Sequence, residues 1–186
     1  MTKTVSFTRM DQGTREDYEL LGRRYRDHQA GLADMLLGLL EQMAGDTLGY
    51  QIDRFQHSLQ CATRAWRDGA DEETVVCALL HDIGDALAPE NHSQVAAAIL
   101  RPYVSERNHW VIQHHGLFQG RYYFQHVGRD PDARDAFRDH PHYQACVEFC
   151  ERWDQTSFDP EYDTLPLAFF EPMVRRLFAK PPRGFV

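Results

Sequence analysis

The chain sets out imidazoles and carboxylates in an order that could hold metal: His57, the adjacent His81 and Asp82, His92, the pair His114 and His115, and Asp154. The stretch CALLHDIGDALAPENH, from Cys77 to His92, poses the sharpest case. An aspartate directly behind an apolar run is costly to bury as an isolated charge, and a bound cation removes that cost. Imidazole and carboxylate without thiolate suit divalent iron, manganese or zinc better than a structural zinc site. Neighbours on a helix point about 100° apart, so the imidazole of such a pair can bind one ion while the carboxylate spans two. A lone helical histidine ordinarily packs or faces solvent, and His28, His109, His126, His140 and His142 are read that way.

The elements that must carry these residues are helical. Apolar residues recur at spacings of three and four, which predicts an all-α protein with helices over 16–44, 53–68, 71–84, 91–100, 104–115, 130–138, 141–153 and 166–179. In DGADEETVVCALLHDIG, Asp71 is placed to cap a helix whose C-terminal end bears His81 and Asp82. Loops fall at AGDTLGYQ, DALAPE, GLFQGRYYFQHVGRDPD and SFDPEYDTLPL, three of them beside the proposed ligands. A length of 186 residues predicts one domain, with a core over about 48–172, a helical extension over 1–47 and a short C-terminal tail.

Composition excludes several roles. A hydrophobic content of 42% is that of a folded chain, and no apolar run approaches the roughly 20 residues of a membrane span. A net charge of −8 opposes nucleic-acid binding. The N-terminus has no apolar signal region, so a cytoplasmic location is expected. Cys61, Cys77, Cys146 and Cys150 lack metal-binding spacing and are read as small buried hydrophobes.

The ordered set His57, His81-Asp82 and Asp154 resembles the H…HD…D signature of the HD-domain superfamily, an all-α helical bundle with a central metal site. Adding His92 and His115 makes the set similar to its six-ligand dinuclear members. Within these, HSLQCATRA…ALLHDIGD, HHGLFQGRYYF and FCERWDQTSFDP resemble the phosphonate-cleaving branch of the mixed-valent diiron oxygenases. That resemblance implies His57, His81, Asp154 and bridging Asp82 around one iron, with His92 and His115 completing the other. His115 is preferred to His114 because the motif continues as H-G-L-F. It also implies an Fe(II)/Fe(III) pair, O2 as co-substrate and a small organophosphonate as substrate. The expected substrate is (R)-1-hydroxy-2-(trimethylammonio)ethylphosphonate, converted to glycine betaine and phosphate, with a hydroxylase upstream to supply the 1-hydroxyl.

Further roles follow from the same resemblance. Asp85 stands where related enzymes contact substrate through lysine or histidine, and its carboxylate is expected to attract an ammonium group or bond a hydroxyl. Tyr50 and Asp53 are similar to a lid pair at the active site, although Asp53 also fits an N-cap. Gln119, Arg121, Arg134 and Arg138 are candidate donors to the phosphonate. Phe118, Tyr122, Tyr123, Phe124, Trp153, Phe158 and Tyr162 could contribute to a cation-binding aromatic wall. Two other classes share the signature: a metal-dependent phosphohydrolase, in which the ions activate water, and a metal-stabilised regulatory module.

Overall fold

Asp53, Asp71 and Ser105 begin three helices by one device. Each side-chain oxygen accepts the backbone N–H three residues on, from Gln56, Thr74 and Asn108. The computed structural model describes residues 3–183, so the last part of the expected tail, 184–186, lies outside the described residues. The helices are α1 (Arg15–Ala30), α2 (Leu32–Glu41), α3 (Arg54–Arg67), α4 (Glu72–Leu80), α5 (His92–Leu100), α6 (Glu106–Gln119), α7 (Tyr143–Phe149) and α8 (Leu167–Phe178). Short 3-10 turns link several of them, and the described residues include no β-strand. The all-helical expectation holds.

Helix α4 lies at the centre. Every residue from Thr74 to Leu80 is buried, as expected of a helix apolar on all sides, and α3, α6 and α8 pack against it. Its core joins Leu36, Leu37 and Leu40 of α2 with Ile112 and Phe118 of α6 and Phe170, Val174 and Leu177 of α8 in one apolar cluster. Helix α1 contributes little, burying only Asp17 and Leu20. No helix among the described residues is long and apolar enough to cross a membrane.

Three departures from the expected helices matter. The segment 16–44 is two helices broken at Gly31. The segment 130–138 forms only a 3-10 run over Ala133–Phe137. Helix α4 stops at Leu80, and Asp82 leaves it at φ −100° and ψ 7°, the sparsely populated bridge region where active-site residues often sit. A fourth feature has no signature in the sequence pattern: α7 passes into a π turn over Cys150–Asp154, closed by the Gln155 N–H on the Cys150 carbonyl at 3.0 Å. The extra residue per turn re-aims Asp154, which is 3% exposed.

Candidate metal centre

Four imidazoles are fixed in the same way. His57 Nδ1 donates to the Ser157 carbonyl at 2.8 Å, His81 to Ala78 at 2.8 Å, His92 to Pro89 at 2.9 Å and His115 to Ile112 at 2.7 Å. A carbonyl only accepts, so the proton of each neutral ring sits on Nδ1 and the Nε2 lone pair is free. A backbone carbonyl behind Nδ1 is the usual orienting partner of a metal-binding histidine.

All four Nε2 atoms face carboxylate oxygen. Asp82 Oδ1 lies 3.1 Å from His115 and 3.4 Å from His92; its Oδ2 lies 3.3 Å from His81 and 3.4 Å from His57. The two oxygens of one carboxylate thus face two different histidine pairs. Asp154 Oδ1 stands 3.3 Å from His57 and 3.6 Å from His81. Two buried triads, His57/His81/Asp154 and His81/Asp82/His115, each bring donor atoms within 4.8 Å of one another. His92 is the outlying member, with a side chain 24% exposed and its Nε2 at 3.1 Å from Ser93 Oγ.

This arrangement fits metal. The Nε2 atoms of His57 and His81 are 3.1 Å apart; one proton between them satisfies the pair only by charging a ring, whereas one cation accepts both lone pairs. Asp154 Oδ2 is buried without a hydrogen-bond partner. Burial opposes protonation of His81, but the Asp82 charge and hydrogen bonds to Asp154 and Asp82 outweigh it and push its pKa up to about 10. Burial would likewise raise Asp154, but hydrogen bonds from His57 and His81 hold it well below the usual carboxylate range. The carboxylates stay charged and demand positive charge, as protons or as metal.

That demand gives a pH prediction. In metal-free protein, protonated His81 stabilises the fold below its unfolded pKa of roughly 6.5, and that stability is lost as pH rises through about 10. Metal binding must expel the proton, so affinity should rise about tenfold per pH unit for each proton released, between roughly pH 7 and 10. Titration calorimetry in buffers of different ionisation enthalpy reads the released protons; heats independent of the buffer would refute the claim.

Residues 54–152, more than half of the chain, match the HD domain. The chain belongs to the HD-domain family. No curated protein matches it. In this HD domain the match starts at the residue that opens α3 and ends within the π turn, two residues before Asp154. The family and the buried His/Asp clusters together identify a metal-dependent HD-domain enzyme.

A cavity of about 980 Å³ opens onto the cluster. His57, Asp82, His92, His115 and Asp154 line it, with Tyr50, Arg54, Gln119, Tyr122, Tyr123, Phe124, Arg129 and Phe158. Tyr50 stacks on Phe158 at 5.0 Å and Phe158 on His57 at 4.4 Å, a chain of rings from solvent to the centre. Gln119 donates Nε2–H to Asp154 Oδ1 at 3.1 Å, leaving its buried Oε1 without a partner. His114 stacks on Trp110 at 4.1 Å, outside both triads.

Several expected substrate contacts are engaged elsewhere. Asp53 is a cap: Oδ1 takes the Gln56 N–H and Oδ2 the Gly45 N–H, both at 2.8 Å. Arg138 pairs with Asp135 at 2.5 Å and Arg121 with Asp132, because exposed guanidiniums find the nearest carboxylate. Arg134 shares a separate surface hollow with Arg138 and His140. Tyr162 lies beneath Arg64 and Arg67, at 3.9 and 5.3 Å, so its face is occupied by the protein's own cations. Phe118 is fully buried core, and Trp153 donates to Asp68 at 2.7 Å. Asp85 is held by Arg54 at 2.5 Å and lies 3.2 Å from His92 Nδ1, with no place on the cavity wall. Its charge is already matched by a guanidinium, which removes the reason to expect an ammonium there.

Arg54 and Arg129 also line the cavity, outside the residues that the ligand pattern points to. The signal for Arg54 is its position three residues before His57, on the same face one turn back along α3. Arg129 sits 3.8 Å over the Phe124 ring, and its loop position carries no periodic signal.

Proposed function

We propose that this protein is a cytoplasmic mixed-valent diiron oxygenase that cleaves the carbon–phosphorus bond of a 1-hydroxyphosphonate with a cationic tail. The preferred substrate is (R)-1-hydroxy-2-(trimethylammonio)ethylphosphonate. It would consume one O2 per substrate, which takes four electrons from C1 and leaves glycine betaine and phosphate. The supporting observation is Asp82, one buried carboxylate whose two oxygens face His57/His81 and His92/His115 separately. An Fe(II)/Fe(III) pair held by these residues with Asp154 would supply Lewis acidity and electron transfer to O2. The donors are nitrogen and oxygen only; the thiols of Cys146 and Cys150 are directed at the Val111 and His115 carbonyls.

The chain's own residues supply binding and shielding. Tyr50, Tyr122 and Tyr123 offer aromatic walls to a quaternary ammonium, and burial pushes the Tyr122 and Tyr123 phenols up so that they stay neutral. Glu90 adds a carboxylate at the same cavity. Gln119 Oε1 is an unused acceptor suited to the substrate hydroxyl. The stacked Tyr50 and Phe158 narrow solvent access to His57.

The deciding experiment follows phosphate release and O2 uptake by iron-loaded protein supplied with the hydroxyphosphonate. Release should need O2 in equal molar amount and stop under anaerobiosis. The same phosphate rate without O2 would overturn the oxygenase reading in favour of hydrolytic C–P cleavage, and phosphate release from a phosphate ester in place of the phosphonate would favour a phosphohydrolase.

A further inference from the structure

We infer that Arg54, held in place by Asp85, is the residue that grips the tetrahedral oxyanion of the substrate beside the metal centre. The inference rests on the reading that this cavity takes a phosphonate. Arg54 reaches its protein partners through one nitrogen: Nη2 contacts Asp82 Oδ2 and lies 2.5 Å from Asp85 Oδ2. Its Nε is buried and has no hydrogen-bond partner, although the residue lines the cavity. A guanidinium carries five N–H donors in a planar fork, so most of its capacity faces no protein acceptor.

Charge leads to the same ligand. Asp82 and Asp85 contact the one guanidinium, and Asp154 stands across the centre beside His57, a balance of two negatives. The proposed Fe(II)/Fe(III) pair would turn that into a net positive centre, which attracts a phosphonate dianion. The Asp82 oxygen that Arg54 touches also faces His57 and His81, so a cation there competes for it. The Asp85 contact does not depend on that oxygen and keeps the guanidinium beside the centre. Asp85 is therefore a positioning residue, acting through Arg54 and not on substrate.

The other arginine of the cavity is a weaker candidate. Arg129 is exposed and already lies over an aromatic face. Arg54 is 84% shielded as a side chain that is 16% exposed, so its hydrogen bonds form away from bulk water, where charge-assisted contacts are strongest.

The test measures binding of inorganic phosphate and of methylphosphonate to metal-loaded wild type, Arg54→Gln, Arg54→Lys and Asp85→Asn, with metal content determined for each. Arg54→Gln should keep its metals and weaken both anions about 10- to 100-fold. Arg54→Lys should recover only part of the loss, because an ammonium presents no fork. Asp85→Asn should raise KM for the hydroxyphosphonate several-fold with kcat little changed. Unchanged anion affinity in Arg54→Gln, or wild-type affinity in Arg54→Lys, overturns the role given to Arg54. Wild type that binds neither anion overturns the phosphonate reading and this inference together. Normal, Arg54-dependent binding with O2-independent phosphate release overturns the oxygenase reading alone and supports the arginine's role.

Discussion

Asp82→Ala should empty the metal centre and reduce turnover by at least about 1000-fold while the helical fold survives. The carboxylate is common to both histidine pairs, so its loss removes a ligand from each half of the cluster at once. Several kcal/mol of charge stabilisation disappear from the site, and each 1.4 kcal/mol corresponds to tenfold. His57→Ala differs in kind, since it leaves Asp82 facing His92 and His115. Metal analysis should find Asp82→Ala without ions and His57→Ala with a partial load. Full metal content in Asp82→Ala would refute the bridging assignment. Retained metal-independent function in that variant would favour a regulatory module.

Gly84→Ala should cost the protein its outlying ligand. A Cβ at Gly84 would lie 2.2 Å from the His92 carbonyl oxygen and 2.7 Å from its Cα, and backbone atoms cannot swing aside as a side chain can. The start of α5 must move, carrying His92 away from Asp82. Overpacking of this kind costs about 1–3 kcal/mol. For a chain of this size that lowers the melting temperature by roughly 2–12 °C. One ion should be lost while the buried His57, His81 and Asp154 retain the other. Gly38→Ala is the control, because its added Cβ meets nothing within 4 Å, and it should leave both ions in place. A Gly84→Ala protein with two ions and unchanged stability would refute the packing argument.

The fold was legible where the chain's own periodicity governs it. The helix around Cys77 is apolar on every side and has Asp71 as its cap, so its existence and central place follow from local pattern. The break at Gly31 and the 3-10 run at Ala133–Phe137 were missed because periodicity alone does not register a change of helix direction or a tighter turn. The π turn that aims Asp154 was equally invisible, since a single extra residue per turn leaves the apolar spacing almost unchanged.

Substrate contacts were the least legible. Asp85, Arg138 and Tyr162 are of the right residue types, but Asp85 is engaged by Arg54 and Tyr162 by Arg64 and Arg67, all distant in sequence, and Arg138 by Asp135 only three residues away; Asp53 takes the N-cap role that its position already allowed. Residue type states what a side chain can do, while its neighbours decide whether that capacity is already used.

The sequence by itself determined the all-helical class, the H…HD…D order and the imidazole and carboxylate chemistry, because these depend on residue identity and short-range spacing. Only the tertiary structure decided that Asp82 turns one oxygen to each histidine pair and that Arg54 stands beside it. Those relations join side chains up to 33 positions apart, from Asp82 to His115, and tertiary packing alone sets their distances.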